Sequence, residues 1–121
     1  MSCSPIADAW NKEIPRELTT EEVEQIVRDF ANTASNAKKA GFDGIEIHAA
    51  HGYLIHQFLS PNCNHRIDKY GGSYDNRVRI LQEVIAMCRE AVGPDFPIMV
   101  RLSAEENSEG CLLYTSDAAD D

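Results

Sequence analysis

Two short runs set the terms for any fold of this chain: "IEIH" at residues 45–48 and "PIMVRLS" at residues 97–103. Both have the length and alternation of strands, and a stretch with helical spacing lies between them. Strands that far apart, with a helix intervening, pair in parallel through a crossover rather than as a hairpin. A helical pattern also precedes the first run. The order is therefore helix, strand, long loop, helix, strand, and the expected fold class is α/β.

The first helix begins in "LTTEE". Thr19 is placed to cap, Glu22 completes a capping box three residues on, and Leu18 with Val23 forms a hydrophobic staple. Val23, Ile26, Val27, Phe30, Ala31, Ala34 and Ala37 recur at three and four, which marks one face. Lys38 and Lys39 fall in the last turn and Gly41 supplies the stop. The second helix begins near Ser73, carries Val78, Leu81, Val84, Ile85, Cys88 and Val92 inward, and stops at Gly93-Pro94. Residues 1–17, with Pro5 and Pro15, read as an incoming loop. The connection from His56 to Ser73 is long against the usual ~2 to 6 residues. It has room for a short helical turn over "YLIHQFL" and for a rim loop held by its own ion pairs.

Two parallel strands leave most backbone edges unpaired, and two helices cannot cover both faces. The expectation is that residues 1–110 are an internal fragment of a larger α/β enzyme. The last residues, 111–121 ("CLLYTSDAADD"), resemble nothing before them and are expected to be a non-native tail.

Composition excludes several functions. Hydrophobic residues at 43% with 26% charged describe globular material rather than a disordered tail. No run approaches the ~18 to 20 apolar residues of a membrane span, and the N-terminus lacks the pattern of a secretory signal. A net charge of -9 without a basic stripe argues against nucleic acid. Cys3, Cys63, Cys88 and Cys111 form no CxxC pair, which suggests a reducing compartment, the cytoplasm.

Strand alternation sorts the polar groups. Ile45 and Ile47 share one side while Glu46 and His48 share the other. Ile98, Val100 and Leu102 oppose Met99, Arg101 and Ser103 in the same way. Helices must cover the aliphatic side. Glu46, His48 and Arg101 then face the opposite side, near the C-terminal strand ends where barrels and open sheets place ligands. In "AAHGY", a left-handed turn at Gly52 would present His51 and Tyr53 above His48, and a helical start would bring the two histidines together.

Blander and rival readings stand beside this one. His48 can be a satisfied polar residue, Arg101 an internal partner for Glu46, and His56 and His65 surface groups. Glu46, His48 and His51 can be proposed as the metal ligands of a hydrolase, although no HExxH is present and Arg101 would oppose a dication. Cys63 has no positioned base, and Gly71-Gly72 is not a phosphate loop. A non-catalytic binding module is the third reading.

The run "GFDGIEIHAAHGYLIHQFLSPNCNHRIDKYGGSYDNR", followed by "VGPDFPIMVRLS", closely resembles the Old Yellow Enzyme family of NADH:flavin oxidoreductases. The bacterial branch with two histidines at the ligand position is nearest; it includes ene-reductases and, in longer chains, 2,4-dienoyl-CoA reductases. "HAAHGY" and "RxDxYGGSxxNR" are specific to the family. The likeness covers about residues 14 to 105 and fades after Glu105.

The resemblance implies a (β/α)8 TIM barrel with noncovalent FMN at its C-terminal rim, of which this chain would supply about two βα units. It implies an FMN-dependent enzyme that reduces the activated C=C bond of α,β-unsaturated carbonyl compounds, with NAD(P)H as hydride source. His48 and His51 match the pair that hydrogen-bonds the substrate's carbonyl oxygen; many relatives carry asparagine at the position of His51. Tyr53 matches the proton donor and Arg101 the arginine beside flavin N1, with His48 also near the cofactor. Asn62 to Arg77 matches a structural loop-helix segment. The implied partner is a small activated alkene or an unsaturated CoA ester, with neither nucleic acid nor membrane. A 4Fe-4S cluster and FAD are implied only for a long, dienoyl-CoA reductase-like parent, and a homo-oligomeric parent stays open. The barrel strands that hold the FMN phosphate in the family have no match in this stretch.

Overall fold

The computed structural model describes residues 1–7 and 12–106. Residues 111–121, expected to be a tail, lie outside the described residues. Five elements follow in order: α1 (Thr20–Lys39), β1 (Ile45–Ala49), α2 (Leu54–Leu59), α3 (Tyr74–Val92) and β2 (Ile98–Leu102). The order is the expected one, with α2 as the short turn in the long connection.

Helix α1 starts where the capping box places it. Thr19 Oγ1 accepts from the Glu22 N–H at 3.2 Å, and the Glu22 carboxylate accepts from the Thr19 N–H at 2.8 Å. Val23, Val27, Ala31 and Ala34 are its buried face. In α3 the buried ridge is Ile80, Val84, Cys88 and Val92, a strict i, i+4 row. Val78, Leu81 and Ile85 flank that row and are only partly buried. Ile80 lies at the ridge because α1 packs along α3 and selects that row.

The strands pair in parallel, with Ile45 opposite Ile98, His48 opposite Arg101 and Ala49 opposite Leu102. Among the described residues, helices cover one face only. Ile47 and Ala49 are buried on that face, whereas Glu46, His48, Met99 and Arg101 are exposed on the other. Cover thins over β2: Val100 is half-buried and Leu102, expected on the covered side, is exposed.

The N-terminal loop is tied down more firmly than an incoming loop needs to be. Ser2 bridges Glu17, and the buried Arg66 guanidinium donates to the carbonyls of Cys3 and Leu18 at 3.0 and 2.6 Å. Arg66 also holds Asp68, which accepts from the Thr20 hydroxyl at 2.7 Å, so the rim loop is held by an ion pair as expected. Gly71 lies against this knot: a Cβ there would overlap the Arg66 backbone. Cys3, Cys63 and Cys88 are free thiols, and burial pushes the Cys3 thiol up to about 11. Among the described residues no helix is long and apolar enough to cross a membrane.

Candidate active site

The site forms where β1 ends. His48 leaves the bare face of the sheet, and the chain then turns back over it. His51 adopts φ 59 and Gly52 φ 77, both left-handed, and α2 starts only after Tyr53. The turn is therefore of the left-handed kind rather than a helical start. Its backbone is fixed by the His51 N–H donating to Ser103 Oγ at 3.1 Å and the Tyr53 N–H donating to the Ala50 carbonyl at 3.2 Å.

The result is a cluster of three polar rings. The His48 and His51 centroids lie 5.1 Å apart at 56°, and those of His48 and Tyr53 5.2 Å apart at 51°. Tyr53 is 63% exposed, so its hydroxyl is open to a bound molecule. Across the strand pair, Arg101 stands level with His48 on the same face. No aliphatic wall comes between them, because the neighbouring groups of that face are Glu46 and Met99.

Arg101 also realises the blander reading. Its Nε donates to Glu46 at 2.9 Å and its Nη2 at 3.4 Å. This bond holds the Glu46 carboxyl below the usual range and raises the guanidinium further. Both side chains are about half exposed, so the pair orients Arg101 more than it stabilises the fold. Glu46 is thereby committed to a cation. Among the described residues, no three His, Cys, Asp or Glu side chains are gathered to hold a metal ion, so the set Glu46, His48 and His51 is not assembled.

Two expectations of surface position part ways. His65 is exposed, but His56 is buried at 6%. Its Nε2 lies 2.9 Å from a Glu106 oxygen, and its buried Nδ1 has no hydrogen-bond partner. The same carboxylate accepts from the Ser60 hydroxyl at 2.8 Å and the Asn62 amide at 3.3 Å. Helical spacing could not reveal this acceptor, which is fifty residues along the chain. The one signal was an acidic pair, Glu105-Glu106, just past the second strand.

Two imidazoles, a phenol and a guanidinium thus share one bare sheet face above the strand ends. Residues 4–117 match the family described as NADH:flavin oxidoreductase / NADH oxidase. The chain belongs to this family. The matched span runs past Glu105, where the resemblance in the sequence fades. The NADH oxidase of Thermoanaerobacter brockii is 52% identical over 107 residues, which cover 88% of this chain and 16% of that protein. The NADPH dehydrogenase of Clostridium acetobutylicum is 50% identical over 107 residues, 88% of this chain and 32% of its own length. A protein named metal reductase from Desulforamulus reducens is 50% identical over 107 residues and again covered to 16%. The chain thus spans a third or less of the length of these relatives.

Proposed function

We propose that the whole protein is an FMN-dependent oxidoreductase that reduces the activated C=C bond of α,β-unsaturated carbonyl compounds with NAD(P)H. In this reading the chain supplies about two βα units of a (β/α)8 barrel, and its bare sheet face turns to the barrel mouth. One observation carries it: the His51 and Tyr53 rings stand 5.1 and 5.2 Å from the His48 ring, beside the in-register Arg101. The donor set suits a flavin, whose pyrimidine edge offers acceptors and gains negative charge on reduction. Glu46 takes the Nε and Nη2 edge of Arg101, which leaves Nη1 for that edge.

When bound and reduced, FMN supplies the hydride. The chain's own residues do the rest. His48 and His51 each hold the substrate oxygen through an N–H and stabilise the negative charge that grows there. Tyr53, open to the same space, passes its phenolic proton to the carbon beside the carbonyl. Arg101 would hold and polarise the cofactor, and His48, in register with it, would serve cofactor and substrate alike. The substrate is a small activated alkene or an unsaturated CoA ester. A 4Fe-4S cluster and FAD enter only for a parent of the longer kind, like the relatives covered to 16%. The free thiols favour the cytoplasm.

Tyr53→Phe in the full-length protein tests the assignment by stopped flow. Removing a general acid is expected to slow alkene reduction by about 100-fold or more. Flavin reduction by NAD(P)H should stay near the native rate. Equal loss in both half-reactions would give the tyrosine another role.

A further inference from the structure

The segment that follows β2 crosses back to the loop that carries the ring cluster and grips it at two points. At the near end, Ser103 Oγ accepts from the His51 N–H at 3.1 Å. At the far end, the Glu106 carboxylate takes bonds from His56, Ser60 and Asn62. Tyr53 and the start of α2 lie between His51 and His56, the first residues held by the two grips.

The far grip is the stronger by its chemistry. His56 and Glu106 side chains are only 7% and 11% exposed, so the carboxylate is held by protein donors more than by water. His56 has no second partner at Nδ1, and Glu106 is what Nε2 reaches. Helix α2 has six residues and no side-chain cap at Tyr53. So short a helix does not hold its own start in place. Its orientation is set by its buried residues, and His56 is the polar one among them.

We propose that Glu106 is a positioning residue that fixes Tyr53 over His48 by anchoring α2 through His56 and Ser60. The anchor passes no proton to the substrate and does not touch it. It sets the angle at which α2 leaves the left-handed turn, and with it the reach of the tyrosine hydroxyl. This assignment rests on the reading of Tyr53 as proton donor.

The test is a double-mutant cycle in the full-length enzyme. Glu106→Ala should slow alkene reduction by about tenfold when Tyr53 is present, and by less than about twofold in a Tyr53→Phe background, because coupled groups are non-additive. A residue needed only for general integrity would cost the same factor in both backgrounds, and that result overturns the assignment. Glu106→Gln fills the same volume and covers the case in which the alanine variant does not fold. It should shift the rate in the same direction by a smaller factor; a native rate overturns the proposal. Amide hydrogen exchange separates this inference from the reading beneath it. Loss of the anchor should speed exchange in Tyr53–Ser60 by about tenfold or more, and unchanged exchange would refute it. Native-rate alkene reduction by Tyr53→Phe would instead sink the proton-donor reading and leave the exchange result to decide the anchor.

Discussion

His51 holds a backbone angle that most side chains avoid. At φ 59 it is in the left-handed region, where His, Asn and Asp are several-fold enriched and β-branched residues are outliers. His51→Asn should therefore fold as well as the native chain and keep an N–H donor over His48. His51→Val should cost about 1 to 3 kcal/mol, and urea unfolding of the two variants side by side would measure the difference. Strand alternation alone placed His48 and Arg101 on one face, since period two survives any packing of the sheet. It also allowed the Glu46 ion pair, but it could not choose between pair and ligand contact because both use the same guanidinium. The burial of His56 was illegible. Its reason is Glu106, brought near only by the parallel pairing of β1 and β2.

Elements were more readable than contacts. The Thr19 capping box, the Ser73 start and the Gly93 stop are local signals: α1 begins at the first, and α3 begins and ends at the other two. The rim loop between α2 and α3 was readable only as ordered, because its anchors lie far off in sequence. Its center is Asp68. Burial works against the charge of this carboxyl, but the Arg66 and Thr20 bonds outweigh that and lower its pKa to about 2. A carboxyl depressed in the folded state adds stability that is fully present above its ordinary range and is lost as pH falls through the folded value. Helical circular dichroism on heating should give a steady melting temperature from pH 7 to about 5 and a falling one from about 4 to 2. Asp68→Asn should lower stability at neutral pH and flatten that fall. An unchanged acid limb would shift the explanation to exposed pairs such as Arg16–Glu22, where the Arg16 bond lowers Glu22 to about 2.

At the scale of the whole chain, a sheet with helices on one side has a second side that nothing described here covers. Its outer edges offer unpaired backbone groups, and its polar face lies open to water. A flavin bound there alone would stay solvated and lack partners for most of its length. The isolated 121-residue chain should accordingly bind FMN more weakly than about micromolar, a range set by the few contacts available. Flavin fluorescence quenching would check this, and micromolar or tighter quenching would contradict it. The strand order and the bare face were both foreseeable from the sequence, because two strands cannot make a closed sheet.

The in-step pairing of β1 with β2 gathers the cluster from a short length of chain. His48, His51, Tyr53, Arg101 and the carboxylates bonded to Arg101 and His56 all come from one contiguous stretch, Glu46 to Glu106. Moved whole into another barrel, this stretch would keep its internal fastenings intact. A cut inside it would part His51 from Ser103 and His56 from Glu106.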